Sequence, residues 1–531
     1  MLVATAVVGL PFVSAAANGE SPSEEHNAPV RVIAADVNAV QGSLDTSFKE
    51  CIGAGRANEG LRADWQDQLR EAQRECGFKY IRMHGLLTDD MGVYREDAHG
   101  NPIYNWQYID KLYDFLLSID IKPFVELSFM PDALASSNKT IFWWEGNVSP
   151  PKSYDKWGGL IRHLVSHFQE RYGHDEVKTW YFEVWNEPDL YNAFWSGTKE
   201  DYFKLYAVTA NAIKSVSTDY RVGGPATAIG QWDESFIVYC HSNNVPLDFV
   251  SSHNYGVKSG YLDETGNRGT VLDPNPNSVI GRMVGEREMI DRSPMPHLPL
   301  HFTEWSSSYT PSDYIHDTYQ QAAFVLSKVR GAYRSVDSMS YWVFTDIFEE
   351  AGPRVTPFHG GFGLINYQDL KKPAFYAFKF LNELGPTELV NADPASWICK
   401  GEDNSIQALF WNYTPIVPPE GVNDQQFYQK EIPSKEIGPV ELSITNLPAG
   451  SYSLEIYQTG YQVNDVFTRY LKMGAPSQLT PTQVGILREQ SKGDPESVET
   501  IQIESGKPFV RTFSMRQNDV YFVRVQPMEA K

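Results

Sequence analysis

From about residue 48 to residue 384, short apolar segments alternate with longer segments that carry apolar residues at three- and four-residue spacing. Short apolar segments are typical of buried strands, and the longer spacing is typical of amphipathic helices. Strands that alternate with helices form parallel sheets joined by crossover helices, and eight such units close a barrel. The pattern therefore predicts an α/β fold, a (β/α)8 TIM barrel with long loops over one face.

The same pattern places the eight strands and the helices between them. The predicted strands end at residues 53–56, 80–84, 124–129, 186–187, 221–225, 252–253, 303–304 and 341–344. The clearest predicted helices span residues 65–75, 105–118, 153–171, 199–216 and 316–333. Because the carboxyl ends of the strands meet at one face of such a barrel, we expect the polar residues at these ends to share one mouth.

After Gly385 and Pro386 the pattern changes to short alternating runs separated by turn residues, at 405–411, 440–444, 452–456 and 520–525. Such runs predict an accessory antiparallel β-sandwich. The apolar segment 30–34 precedes the first barrel unit and lies outside the eight-strand count, so we assign it to the sandwich. The predicted domains are therefore a barrel at 40–385 and a sandwich made of 22–39 plus 386–531.

The chain begins with an apolar segment, residues 2–13, followed by Ser14 and three alanines. This order is typical of the hydrophobic region and cleavage site of a secretory signal, although no Lys or Arg precedes it. We expect residues 1–17 to be a signal peptide and the protein to be secreted or periplasmic. No later segment approaches the roughly 20 apolar residues that a membrane-spanning helix needs, so no membrane insertion is expected.

Charge and composition exclude some classes of partner. The net charge of −22 is not relieved by any basic run, and binding of nucleic acid needs clustered Lys and Arg, so nucleic acid is not an expected partner. Aromatic residues make up 13% of the chain, and their faces stack on sugar rings as well as filling cores. Four distant cysteines give no zinc pattern, and free buried thiols are expected: Cys51, Cys76, Cys240 and Cys399.

Two of the predicted strands end in glutamates. Residues 180–188 form an apolar strand that delivers Asn186 and Glu187 just before a proline, and residues 301–309 deliver Glu304 in the same way. Cleavage of a glycosidic bond needs one protonated carboxyl group and one ionised carboxylate. The pair therefore predicts glycoside hydrolysis, with burial and mutual repulsion separating the two pKa values. The alternative is that both glutamates are structural acids at strand ends.

Other side chains at the predicted mouth are candidates for binding substrate, each with a plain structural alternative: a satisfied core histidine, core aromatic packing or a solvated acidic loop. The candidates are His84, Phe129, His253, Tyr255, Trp342, Glu349 and Glu350. Glu183 shares side-chain parity with Glu187 and is expected to lie deeper, in a polar core network. A metal site of His301 and Glu304 is not expected, because residues three apart on a regular strand face opposite sides.

Several motifs in a fixed order resemble one family of glycosidases. The Trp-Asn-Glu-Pro sequence at 185–188 and the Thr-Glu pair at 303–304 resemble the clan of retaining glycosidases built on an eight-fold barrel. Four further segments narrow the resemblance to glycoside hydrolase family 39, whose best-known members are β-xylosidases and α-L-iduronidases: 81–90, 142–147, 344–350 and 358–364. The resemblance runs from about residue 51 to residue 384 and continues more weakly to residue 489.

The resemblance implies a retaining double displacement through a covalent glycosyl-enzyme intermediate. Glu187 is implied to be the general acid/base and Glu304 the nucleophile, with Asn186 bound to the 2-hydroxyl of the sugar. This chemistry needs no cofactor and no metal. We expect an oligosaccharide as the substrate.

The remaining candidates also match positions of the family. His84 and His253 match positions that hold sugar hydroxyls, and Glu349 and Glu350 match a pair at the glycone subsite. Tyr255 is implied to assist the nucleophile by hydrogen bonding, although residues 252–256 depart from the xylosidase pattern. Two strand aromatics are candidates for a sugar-stacking platform, Trp342 and Phe129.

The segments 348–350 and 359–364 are more like the bacterial xylosidase branch, which favours an exo-acting β-D-xylosidase that acts on xylo-oligosaccharides. α-L-Arabinosidase, β-glucosidase, β-galactosidase and α-L-iduronidase activities stay open, and an iduronidase would need a cation such as Arg56, Arg82 or Arg354 for the substrate carboxylate. A carbohydrate-binding protein without turnover is a further alternative, against which the two glutamates speak. Some family members assemble through an extended C-terminal tail, whereas this chain stops soon after its last predicted strand, so the resemblance implies a monomer.

Overall fold

Eight parallel strands close a barrel in the computed structural model, which describes residues 30–262, 268–419, 422 and 424–528. The predicted signal peptide, residues 1–17, lies outside these residues. All eight predicted strand ends lie within three residues of the end of a barrel strand, and the predicted fold class is confirmed. The strands are β1 (Cys51–Arg56), β2 (Tyr80–His84), β3 (Lys122–Leu127), β4 (Tyr181–Val184), β5 (Arg221–Thr227), β6 (Phe249–Tyr255), β7 (Leu300–Ser306) and β8 (Ser338–Tyr341).

A helix follows each barrel strand along the chain, with its apolar face buried. The helices are α1 (Ala63–Cys76), α2 (Gln107–Ser118), α3 (Tyr154–Tyr172), α4 (Lys199–Val216), α5 (Asp233–Asn243), α6 (Ile280–Arg292), α7 (Gln320–Gly331) and α8 (Pro373–Asn382). Reciprocal hydrogen bonds between Thr198 and Asp201 cap the start of α4. The predicted helix at 316–333 begins only at Gln320, because Tyr314–Asp317 forms a separate 3-10 turn.

Shorter elements lie between and beyond these units. Three two-stranded hairpins pair Tyr94–Glu96 with Pro102–Tyr104, Thr140–Ile141 with Gly146–Asn147, and Val257–Leu262 with Arg268–Leu272. The short helices are Ser47–Lys49, Ala57–Leu61, Asp89–Met91, His174–Val177, Asp424–Phe427, Val466–Lys472 and Pro481–Glu489.

Side chains inside the barrel form layers along the strands. The lower layer is aromatic, and its ring centroids lie 4.8 to 5.7 Å apart: Phe124, Tyr181, Phe249 and His301. Strand side chains alternate, so the residues two positions further along point into the barrel as well. They form a polar layer directly beneath the mouth: Glu126, Glu183, Ser251 and Thr303. Glu183 therefore lies in a buried polar network.

A bulge in β7 breaks this alternation at the mouth. Ser252 pairs with Phe302, but the next residue, His253, pairs with Glu304, which leaves Thr303 as an extra residue in β7. Such a bulge re-aims side chains, and both Thr303 and Glu304 make hydrogen bonds inside the barrel. His301 and Glu304 therefore do not face opposite sides as predicted, because β7 is not a regular strand.

The C-terminal part of the chain forms a β-sandwich whose apolar core lies between two sheets. The three-stranded sheet contains Arg31–Asp36, Glu436–Thr445 and Phe509–Arg516. The seven-stranded sheet contains Val40–Ser43, Thr387–Leu389, Ser396–Lys400, Ile406–Trp411, Val520–Pro527, Gly450–Thr459 and Ser497–Ile503. The N-terminal strand pairs in parallel with Glu436–Thr445, which is one departure from the antiparallel pattern. Phe522 stacks on Phe380 of α8 at 5.4 Å and joins the sandwich to the barrel.

Two sequence expectations concern helices and thiols. None of the helices in the described residues is long and apolar enough to cross a membrane. The four cysteines are buried and carry free thiols.

Candidate active site

Glu187 and Glu304 meet at the mouth of the barrel. β4 ends at Val184, and positive φ angles of 75° at Trp185 and 44° at Glu187 turn the chain away from the strand. Both glutamates are buried, with 7% and 4% of their surface exposed. One carboxyl oxygen of each and a ring nitrogen of His253 lie within 4.8 Å of one another. Carboxyl groups about 5 Å apart leave room for a sugar carbon between them but not for an additional water molecule.

Both oxygens of the Glu304 carboxylate are held by donors. Arg82 Nη1 donates to Oε1 at 2.8 Å, and the Tyr255 hydroxyl donates to Oε2 at 2.6 Å. His84 Nε2 lies 3.5 Å from Oε1. Burial, followed by the charge of Glu304, raises the pKa of Tyr255 well above its usual range, so the phenol stays protonated. Glu304 is therefore a carboxylate of fixed orientation at the mouth.

Glu187 has a different environment from Glu304. His253 Nδ1 lies 2.9 Å from Oε1 of Glu187. Burial, followed by the charges of Glu304 and Asp189, raises the pKa of Glu187 well above its usual range, and Arg82 opposes this only in part. Glu187 therefore keeps its proton to higher pH than an ordinary glutamate. One carboxyl group that holds a proton beside one with two donors is the arrangement that acid and nucleophile roles need.

Arg82 is the centre of the polar layer. Its guanidinium is fully buried and donates to Glu183 at 2.5 Å, to Glu304 at 2.8 Å and to Asn186 Oδ1 at 2.8 Å, and it forms an ion pair with Glu126 at 2.9 Å. Burial alone would lower the pKa of Arg82, but the surrounding carboxylates raise it, so the charge persists. Nδ2 of Asn186 is buried and has no hydrogen-bond partner among the described residues. That amide group has a donor available for a ligand.

Glu349 and Glu350 follow β8 and have different partners. The Glu349 carboxylate bridges two arginines, with Arg56 Nη2 and Arg62 Nη1 each at 2.9 Å. The Glu350 carboxylate lies 3.7 Å from His84 Nε2, inside the mouth. Burial is the main reason that the pKa of Glu350 is raised well above its usual range. The structure thus brings Glu350 to the mouth and leaves Glu349 in an ion-pair network at the rim.

Trp342 and Phe129 flank His84. Their ring centroids lie 4.7 and 5.9 Å from the imidazole. Phe129 has no exposed surface and is enclosed by Trp144 and Trp185, with centroids 5.9 and 5.6 Å away. Packing accounts for Phe129, which lies behind His84, whereas the Trp342 ring also stands beside the guanidinium at the mouth.

Three residues of the catalytic centre have roles that the sequence did not predict: Arg82, which was a candidate only for a substrate carboxylate, Glu126 and Thr303. A charged residue with inward parity in a predicted barrel strand is the signal that would have found Arg82 and Glu126, because a buried charge must be paired. Thr303 faces inward by the same parity as His301, but an uncharged threonine gives no signal of its own in the sequence. Among the described residues, Glu187, His253 and Glu304 also form a group whose atoms could hold a cation, but hydrogen bonds already account for their arrangement.

Comparisons with known proteins agree with this geometry. The family model of Glycosyl hydrolases family 39 matches residues 31–506. Over 373 residues the chain is 46% identical to a beta-xylosidase of Geobacillus stearothermophilus, which covers 69% of this chain and 74% of the relative. The crystal structure of a monomeric beta-xylosidase from Caulobacter crescentus CB15 matches with a TM-score of 0.90 at 41% identity, over 94% of this chain and all of that one. The alpha-L-iduronidase of Homo sapiens is 27% identical over 213 residues, 37% of this chain and 31% of the relative.

Proposed function

The chain belongs to glycosyl hydrolases family 39, and from this premise we propose that it is an exo-acting β-D-xylosidase that removes xylose from the ends of xylo-oligosaccharides. Members of the family are retaining glycosidases, so the chain is a retaining glycoside hydrolase. The observation that carries the proposal is the buried pair of unlike glutamates within 4.8 Å, together with 46% identity to a beta-xylosidase.

In the first step of the proposed mechanism, Glu304 attacks the anomeric carbon of the terminal sugar. Arg82 and Tyr255 hold the carboxylate so that one lone pair faces the sugar. Glu187 transfers its proton to the glycosidic oxygen, so the leaving group departs as a neutral alcohol. The products are a covalent glycosyl ester on Glu304 and an ionised Glu187.

In the second step, the ionised Glu187 accepts a proton from water while the water oxygen attacks the anomeric carbon. The bond between this carbon and Glu304 breaks, and Arg82 and Tyr255 again hold the departing carboxylate. Two inversions give net retention. The free donor of Asn186 is available for the 2-hydroxyl, where hydrogen bonds strengthen as positive charge develops on the sugar.

An iduronidase would need a cation or donors for the substrate carboxylate. Arg56 is paired with Asp90 and Glu349, and Arg82 is held among buried acids. Arg354 lies near Glu350 and Asp346, whose charges oppose the lowering of its pKa by burial. Because Arg56 and Arg82 are already paired with acids, a neutral sugar fits the site better than a uronate.

We further propose that the protein acts as a monomer and is secreted or periplasmic. The monomeric state rests on the similarity to the monomeric beta-xylosidase from Caulobacter crescentus. The location rests on residues 1–17, which lie outside the described residues. Sedimentation velocity and N-terminal sequencing of the exported protein test these two statements.

The proposed function is tested by release of nitrophenol from β-xyloside, α-L-arabinosides, β-glucoside, β-galactoside and α-L-iduronide. We expect the largest kcat/KM for the β-xyloside. A preference for another glycoside would keep the mechanism and replace the substrate. Absence of turnover on the whole panel would favour a carbohydrate-binding protein.

Replacement of Glu350 and of Glu349 by alanine is expected to have unequal effects. Glu350 lies at the mouth, and its loss should leave a buried sugar hydroxyl without a partner and lower kcat/KM by about 100-fold. Glu349 pairs with arginines at the rim, one of them about half exposed, so its loss should lower kcat/KM by about 10-fold at most and stability by about 1 kcal/mol. Kinetics on an aryl β-xyloside and thermal unfolding of both variants measure this. A larger kinetic effect at Glu349 would contradict the assignment.

A further inference from the structure

Four buried side chains form one hydrogen-bond chain from the polar layer to the mouth. Thr303 Oγ1 donates to Glu183 Oε1 at 2.8 Å. The other side of the Thr303 hydroxyl faces His253 Nε2 at 3.1 Å, and His253 Nδ1 faces Glu187 Oε1 at 2.9 Å. The residues belong to β4, β6, β7 and the turn after β4, and Thr303, which faces inward like His301 two residues before it, connects them across the barrel.

The partners at one end fix the direction of every bond in this chain. An arginine can only donate, so Glu183 Oε2 accepts from Arg82 Nε, and Oε1 accepts from the hydroxyl of Thr303. A hydroxyl has one proton, so the Thr303 oxygen must accept from His253, which places a proton on Nε2. Nδ1 of a neutral His253 is then a bare acceptor, and its bond to Glu187 requires that Glu187 supplies the proton.

His253 remains neutral because burial, followed by the charge of Arg82, lowers its pKa well below the usual range. A neutral imidazole carries one proton, so its two tautomers are the only states to compare. The alternative tautomer would place the proton on Nδ1 and donate to an ionised Glu187. It would also leave Nε2 facing a hydroxyl whose proton is already given to Glu183.

We propose that Glu183 is a positioning residue that acts through Thr303 to hold His253 in the Nε2-protonated tautomer, and so keeps Glu187 protonated until the leaving group takes its proton. This inference rests on the proposed glycosidase function. No net proton moves along this hydrogen-bond chain during the reaction. Glu187 gives its proton to the glycosidic oxygen in the first step and regains one from water in the second.

Several charged groups surround this hydrogen-bond chain, and replacement of Thr303 leaves all of them in place. Around Glu187 stand Glu304, Asp189, Glu350 and Arg82. Around Glu183 stand Arg82 and Glu126, and burial raises the pKa of Glu183 while Arg82 opposes this. Around His253 stand Arg82, His84 and Arg282. A change at Thr303 removes no charge, so it isolates the effect of the hydrogen-bond direction.

The test compares Thr303→Val with Thr303→Ser. Valine has nearly the shape of threonine but no hydroxyl, so Nε2 of His253 loses its acceptor and the Nδ1 tautomer becomes accessible. The basic limb of the plot of kcat/KM against pH reports loss of the Glu187 proton as pH rises. This limb should shift to lower pH by about one unit. Serine keeps the hydroxyl, and we expect the limb of that variant to stay at its wild-type position.

A second measurement separates this effect from a merely structural one. The dinitrophenolate of a dinitrophenyl β-xyloside departs without a proton, whereas the leaving sugar of xylobiose needs the proton of Glu187. For Thr303→Val above the shifted limb, kcat/KM should fall about 10-fold on xylobiose and little on the dinitrophenyl substrate. Structural damage would lower kcat/KM equally on both substrates. Turnover of the dinitrophenyl substrate therefore measures the fraction of folded active sites in each preparation.

Glu183→Gln provides a second variant that does not depend on the folding of Thr303→Val. Arg82 can only donate, so the amide oxygen of the new glutamine faces Arg82 and its N–H2 group donates to Thr303. The direction of every hydrogen bond from residue 183 to Glu187 is then reversed. The basic limb should again move down, by more than in Thr303→Val, since a negative charge is lost as well. An active enzyme whose limb does not move in Thr303→Val or Glu183→Gln, or whose losses are equal on both substrates, overturns the inference. A wild-type protein that hydrolyses no glycoside would instead overturn the proposed function.

Discussion

Glu304→Ala is expected to lower kcat on β-xylosides by on the order of 10⁵-fold, because no other group replaces the attacking oxygen. Glu304 is the carboxylate with a donor on each oxygen, from Arg82 and Tyr255. These donors fix its direction and leave the variant with an unfilled space where the covalent bond would form. Initial rates on the aryl β-xyloside measure the loss, and thermal unfolding checks that the variant is folded.

Covalent labelling tests the role of Glu304 as the nucleophile without a rate measurement. A 2-fluoro β-xylosyl fluoride forms the glycosyl-enzyme but hydrolyses slowly, since the fluorine disfavours positive charge on the ring. Mass spectrometry should find one sugar on the wild-type protein, on the peptide that contains Glu304, and none on Glu304→Ala. Glu126 and Glu183 are the internal controls, because both are buried carboxylates of the same barrel. A label on either would remove the assignment of Glu304.

The barrel is predictable from the sequence because its signals are local. Apolar runs end in polar residues, and the topology of the barrel then unites these ends without further information. The two glutamates follow from this rule, since one lies just after the end of β4 and the other lies near the end of β7. His84 and Trp342 reach the mouth for the same reason.

The partners of these residues are not local, and the sequence does not fix them. Alternation alone places His301 and Thr303 inside the barrel and Glu304 outside, but the bulge at Thr303 turns Glu304 inward as well. Whether a strand bulges depends on its pairing with β6, which no single segment encodes. The catalytic centre therefore contains a glutamate that the regular pattern would place outside the barrel.

The adjacent acids show a second limit of the same kind. Glu349 and Glu350 are equivalent in sequence, and like charges side by side predict only a solvated loop. Their difference comes from Arg56 at the end of β1 and Arg62 beyond it, which reach across to Glu349. Glu350, which has no such pairing with these arginines, lies at the mouth beside His84. The distinction depends on contacts between segments nearly 300 residues apart.

Glu187→Ala is expected to affect substrates according to their leaving groups. A general acid contributes about 10² to 10⁴-fold, so kcat/KM on xylobiose should fall by about 10³-fold. A dinitrophenyl β-xyloside needs no proton, and its kcat/KM should change little. Its second step still needs a base, so the glycosyl-enzyme should accumulate and kcat should fall. The contrast of the two substrates on one preparation is the measurement.

Azide then distinguishes the roles of the two glutamates by stereochemistry. In Glu187→Ala the small anion enters beside the missing carboxyl group and attacks the glycosyl-enzyme, and two inversions give β-xylosyl azide. In Glu304→Ala azide would occupy the space of the nucleophile and attack once, which gives the α-azide. The anomeric configuration of the product in each variant therefore assigns acid/base and nucleophile without reference to rates. An α-product from Glu187→Ala would exchange the two roles, and would require that the paired donors of Arg82 and Tyr255 serve a general acid instead.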